Sequence, residues 1–111
     1  MSLFSLSKST FEAKLAGKLQ ERFINISRRN KLLARWAFEQ TKLPKTMRDE
    51  YVYDIVKAFI FVPSDTRLIM NIVKDLTNRG IAVEREDVVR QLRKIEHKLN
   101  IFRFGSLNGK K

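Results

Sequence analysis

Four cations, Arg28, Arg29, Lys31 and Arg35, stand in the stretch NISRRNKLLARWAFEQ ahead of its only anion, Glu39. Guanidinium and ammonium groups gathered this closely suit the phosphates or carboxylates of a partner. Arg28, Lys31 and Arg35 recur at steps of three and four, so on a helix they share one face. Arg67, Asn71 and Lys74, further along in SDTRLIMNIVKDL, are a weaker set that could meet a nucleic-acid groove and equally suits an ordinary bundle helix. Other chemistry is sparse. His97 is the only histidine and there is no cysteine, which excludes disulfides and thiolate metal sites. No Gly-rich phosphate loop, paired metal-ligand spacing or nucleophilic triad is present. Carboxylates occur mostly beside basic residues, as in Glu84-Arg85-Glu86, and read as surface pairs. Neither an enzyme nor a cofactor is expected.

The elements that position these residues follow from apolar periodicity. Leu15, Leu19, Phe23, Ile26, Asn30, Leu33 and Ala37 lie on one stripe of a single long helix at 3.6 residues per turn. This predicts a helix from about Phe11 to Thr41, with Ser9 or Thr10 as N-cap and Leu43-Pro44 as the stop. Its cationic face is then roughly opposite the stripe, and Leu32 and Trp36, four apart, flank it. Asn30 falls within the stripe and needs a hydrogen-bond partner there, since an unpaired buried amide costs about 1 to 3 kcal/mol.

Thr46 and Asp49 suggest a capped second helix with Val52, Ile55, Val56 and Phe59 inward, closed by Pro63. Ser64 or Asp65 caps a third, with Ile69, Ile72, Val73 and Leu76 inward and Gly80 as its stop. After Ile81-Ala82-Val83, the acids Glu84, Glu86 and Asp87 suit the start of a fourth helix. Val88, Leu92, Ile95, Leu99 and Phe102 form its stripe, His97 lies opposite, and Lys94, Lys98 and Arg103 suit its end. The expected fold is all-α: a four-helix bundle with a long N-terminal helix and flexible termini. The first helix is longer than its partners can cover, so one end should project, with Gly17 as the weak point.

The chain has 111 residues and a net charge of +11. The length fits one domain, and the charge makes a polyanionic partner worth weighing. The charge is spread evenly: residues 1–55 carry 11 Lys/Arg against 6 Asp/Glu, and residues 56–111 carry 12 against 6, so no basic arm faces an acidic half. No apolar run reaches the length of a membrane span and no signal peptide is expected, which places the protein in the cytoplasm.

At FEAKLAGKLQERFINISRRNKLLARWAFE the chain resembles the small zeta-type regulatory subunit of alphaproteobacterial F-type ATP synthases, a family first catalogued as a domain of unknown function. The motifs are FExK, an acidic-aromatic step, and RRNKLLxxWAxE. They fall here on Phe11, Glu12 and Lys14; on Glu21 and Phe23; and on Arg28 to Leu33, Trp36, Ala37 and Glu39. A softer similarity, in Asp65, Leu68, Asp75, Leu76, Gly80 and Ile81, extends it over about residues 10 to 100.

The resemblance implies a four-helix bundle that docks on the alpha, beta and gamma subunits, peripheral to the inner membrane, and inhibits ATP hydrolysis through an N-terminal segment that becomes helical on entering a catalytic interface. A tail that folds as it binds can enter a cleft closed to a finished bundle. It makes residues 1–18 a flexible inhibitory arm and residues 19–102 the bundle; residues 1–10 and 103–111, Ser-, Gly- or Lys-rich without sustained periodicity, read as mobile tails on composition alone, the second of them basic. Partner contacts fall to Phe11, Glu12, Lys14, Leu15, Lys18, Arg28, Arg29, Asn30, Lys31 and Trp36, with the cations outward.

The opening SLFSLSKST lacks the acidic residues usual in the family, and Gly17-Lys18 replaces its HD-like step, so weakened inhibition is expected. The final IFRFGSLNGKK has no family counterpart. The free protein is expected to be a monomer without membrane insertion or a specific nucleic acid. The alternative is a small basic helical protein that binds nucleic acid through Arg28, Lys31 and Arg35.

Overall fold

The computed structural model describes residues 3–101, with side chains from residue 16 onward. Four helices follow one another: α1, Leu3–Gln40; α2, Arg48–Phe61; α3, Asp65–Asn78; and α4, Arg85–Lys98. They form an up-down-up-down bundle. The Phe38 and Tyr51 rings meet edge to face at 5.6 Å and Arg29 lies over Phe59 at 5.9 Å, so α2 runs antiparallel to α1. Arg29 also meets the start of α3 at Asp65 and the end of α4 at Glu96, which fixes the remaining directions. Short links between amphipathic helices favour this arrangement.

The core draws on the expected stripes: Leu33, Ala34, Ala37 and Phe38 of α1; Tyr51, Val52 and Ile55 of α2; Leu68, Ile69, Ile72 and Leu76 of α3; and Val88, Leu92 and Ile95 of α4. Val56, Phe59, Val73 and Leu99 pack against it, half-buried. Phe102 and Arg103, assigned to the fourth helix by periodicity, lie outside the described residues, as does the basic tail.

Helix ends follow local chemistry. Ser64 caps α3, its hydroxyl accepting from the Arg67 N–H at 3.2 Å. At α4 the Glu84 N–H donates to the Asp87 carboxylate at 2.9 Å, and this bond, ahead of the neighbouring Arg90, holds Asp87 below the usual carboxylate range. The α3 terminus closes on Gly80 at φ +82°. There the Gly80 N–H bonds the Thr77 carbonyl and the Ile81 N–H the Leu76 carbonyl, each at 2.9 Å, the paired bonds of a Schellman motif.

Two ends differ from expectation. α2 begins at Arg48 with Met47 as its N-cap and no side-chain cap bond. Thr46 sits instead in a 3-10 turn, Lys45–Met47, that Pro44 starts in extended geometry and that feeds directly into the helix. α1 begins at Leu3 instead of about Phe11, so Ser9 and Thr10 are interior positions, not caps. No proline or glycine interrupts the stretch before Gly17, and extending an existing helix is far easier than nucleating one. The helix also continues through Gly17 without a break.

With 38 residues, α1 is about 57 Å long, against about 21 Å for each 14-residue partner. Its partners reach only to the level of Arg29. Leu19 and Phe23, expected inward on the stripe, are therefore 57% and 62% exposed. The predicted projection is real, and it carries uncovered apolar side chains.

Candidate functional site: the RRNKLL segment and the projecting helix

The segment Arg28 to Leu33 lies where α1 enters the bundle, and its helical turn sorts its residues between two environments. Arg29, Asn30 and Leu33 point inward; Arg28 and Lys31 point to solvent, and Leu32 is half-buried. Arg29 corrects the expectation that the cations face outward. It is only 3% exposed. One of its terminal nitrogens meets the Asp65 carboxylate at 2.6 Å and the other meets Glu96 at 2.9 Å. Its Nε and one terminal nitrogen donate to the Asn30 side-chain oxygen at 3.0 and 2.9 Å.

With Phe59 beneath the guanidinium, Arg29 ties all four helices together at one level. The planar fork of arginine can serve several acceptors at once, which an ammonium cannot. Asn30 finds within this cluster the partner its place on the stripe required. Arg29 and Asn30, both expected to contact a partner, therefore hold the bundle together; neither presents a surface.

Glu96 likewise overturns the reading of carboxylates as surface pairs, because its side chain is 7% exposed. The signal was in the sequence. Glu96 stands four residues after Leu92, on the inner face of α4, where a lone carboxylate needs a cation. Arg29 immediately precedes Asn30 and falls near the same stripe. Asp65 reads in the sequence as a helix cap and as part of the softer family similarity, and its bond across the bundle has no local signature.

Arg28, Lys31 and Arg35 are exposed as expected, and none of them forms an ion pair among the described residues. They border a shallow groove along α1 that also includes Phe23, Ile24 and Leu32. Apolar groups thus lie among cations on the outer side of α1, across the level at which it leaves the bundle. Such a surface offers burial and charge complementarity to an acidic protein face. Lys18 is exposed on the same projection. The side chains of Phe11, Glu12, Lys14 and Leu15 lie outside the described residues, although their backbone belongs to α1.

Trp36 is half-buried at the other end of the bundle. It packs against the core and forms one wall of a cleft with Val83, Asp87, Arg90 and Lys94. On α3, Arg67 and Asn71 border a narrow groove against α2, whereas Lys74 stands exposed away from it. His97 is exposed, as its place opposite the α4 stripe requires.

The family model described as ATPase inhibitor subunit zeta matches residues 1–100. The chain belongs to this family. The match confirms the resemblance carried by RRNKLL and takes in residues 1–10, which carry none of its motifs. It stops before residues 101–111, for which no family counterpart was found. No curated protein and no solved structure matches the chain. Members of the zeta family are ATPase inhibitors by description, a regulatory role. Within this zeta chain, the signature segment divides into an inner part that closes the bundle, Arg29, Asn30 and Leu33, and an outer part, Arg28 and Lys31, that faces solvent. No helix among the described residues is long and apolar enough to cross a membrane.

Proposed function

We propose that this chain is a regulatory subunit that docks on the catalytic sector of an F-type ATP synthase, against its alpha, beta and gamma subunits, and restrains ATP hydrolysis through residues 1–18. The observation that carries the reading is the projection of α1 beyond its partners with Leu19 and Phe23 uncovered, in a chain of the zeta family. A helix already formed to Leu3 can enter a cleft between subunits while the bundle remains outside. Phe11, Glu12, Lys14, Leu15 and Lys18 are the contacts of the arm. Arg28, Lys31 and Trp36 are the contacts of the anchor, and Arg29 and Asn30 set the angle at which α1 leaves it. The unusual opening SLFSLSKST weakens the restraint without abolishing docking. The protein works as a monomer on the cytoplasmic side, held at the inner membrane only through the synthase.

Capture on the immobilised chain, from a lysate of its own organism at physiological salt, tests the partner. The alpha, beta and gamma subunits should be recovered. Three exposed cations without ion pairs among the described residues favour a second reading, phosphate contacts with nucleic acid. Nucleic acid recovered alone, and surviving a salt wash, would establish that reading and remove the first.

A further inference from the structure

α1 and α2 share an outer face on which apolar side chains are exposed. On α1, Ile24, Lys31 and Phe38 follow one another at steps of seven, and each step turns by about 20° along a straight helix. Phe38 is buried against Tyr51 of α2, and the row turns outward from there, leaving Lys31 and Ile24 exposed. On α2, the Tyr51 hydroxyl donates to Asp75 of α3, and Ala58 and Val62 border α3. Tyr53, Val56 and Ile60, at steps of three and four, take the other side, toward α1. Tyr53 and Ile60 are 62% and 63% exposed, with Val56 half-buried between them.

The two rows run side by side. Because α1 and α2 are antiparallel, with Arg29 over Phe59 and Phe38 against Tyr51, Ile60 stands level with Arg28, and Tyr53 with Arg35. Ile24 lies one turn beyond Ile60. Ile24, Ile60, Val56 and Tyr53 therefore line an apolar strip about 17 Å long, with Val56 as its floor. Arg28, Lys31 and Arg35 edge it on the α1 side, exposed and without ion pairs among the described residues. Lys57 edges it on the α2 side, over the Tyr53 ring at 5.8 Å and beside Asp54 at 3.3 Å. Between Ile24 and Arg35 α1 has no acidic residue, and between Tyr53 and Ile60 α2 has only Asp54, so the edges of the strip are cationic.

We propose that this strip seats an amphipathic helix of a partner protein, about three turns long, whose apolar stripe runs between acidic residues. The form follows from the shape. Packed helices lie with their axes about 8 to 10 Å apart, and the furrow between them takes a third helix of about 10 Å diameter. A flat lipid surface does not reach Val56 at the floor. The sign follows from the edges, where acids beside the incoming stripe meet the cations of α1 on one flank and Lys57 on the other. A second copy of this chain brings like charge to the same edges. Arg28 and Lys31 belong to the anchor of the proposed function; that a synthase subunit carries the helix rests on that function, and the fit of the strip does not.

Peptide binding tests the strip without any synthase. A synthetic peptide of about 18 residues, with leucine at steps of three and four and glutamate elsewhere, is titrated into the full chain in about 0.15 M salt and followed by amide chemical shifts. The shifts should centre on residues 24–35 and 53–60. A peptide of the same charge with two central leucines replaced by proline cannot stay helical, and it should bind at least about tenfold more weakly. The Y53S/I60S chain should lose as much with the first peptide, while its unchanged chemical denaturation shows the bundle intact. Equal affinity for the two peptides, or for the two chains, leaves charge alone as the attraction and overturns the proposal. Shifts centred on another face, or no binding, overturn it as well. Changes at residues 53–60 produced in place of the peptide's by raised protein concentration make a second copy the occupant, and changes produced only by phosphatidylglycerol vesicles make it a lipid surface; either result overturns the proposal.

Discussion

Arg29 is the residue on which the bundle closes, and its neighbours were only half legible in the sequence. The stripe predicted a buried Asn30 and the need for a partner, because polar atoms at helix-core spacing must be paired. It did not predict Arg29 as that partner, since a guanidinium can reach inward from the edge of a stripe and periodicity places only the backbone. R29M breaks the ion pairs to Asp65 and Glu96 and the bonds to Asn30 at once, so it should destabilise the protein by about 3 to 5 kcal/mol in chemical denaturation. The double variant R29M/E96M should recover much of that loss, because the more exposed Asp65, at 25%, can turn to water.

A second polar link, the Tyr51 hydroxyl donating to Asp75 at 2.7 Å, ties α2 to α3, with Arg79 on the same carboxylate at 3.0 Å. Burial first, and then the Asp75 hydrogen bond, hold the Tyr51 phenol well above the usual tyrosine range. A group whose folded value is raised contributes stability in full below its unfolded value, near 10, and loses it as pH rises from there. Y51F should therefore cost about 1.5 to 3 kcal/mol at neutral pH. It should also flatten the loss of stability above about pH 10, as followed by denaturation across an alkaline series.

At the scale of elements, the four helices and their inner faces were readable because each short helix must hide one stripe. Helix ends were less so. The Thr46 cap failed because Pro44 set up a 3-10 turn that made a side-chain cap unnecessary, and the start of α1 moved to Leu3 because nothing between there and Gly17 stops a helix. Gly17 remains the intrinsic weak point of the projection. A Cβ built there meets nothing within 4 Å, so G17A should gain helix propensity at no steric cost, about 1 kcal/mol. The gain should appear as slower amide exchange around residue 17 with little change in global unfolding, since that turn lies outside the core.

The molecule as a whole joins a closed bundle to a helix that leaves it. The length of α1 against its partners was legible from the sequence, and with it the projection; the exposure of Leu19 and Phe23 was not, because periodicity alone cannot say where a stripe loses its cover. Among the described side chains every buried residue lies at position 29 or beyond, so a chain of residues 19–111 keeps that core and should fold. That independence makes the division between arm and anchor testable in a single assay: ATP hydrolysis by the synthase, measured with the full chain and with residues 19–111. Partial inhibition by the full chain and none by the shortened one is the result predicted. Equal inhibition by both would remove the arm from the mechanism, and an unchanged rate with either would contradict the regulatory role itself.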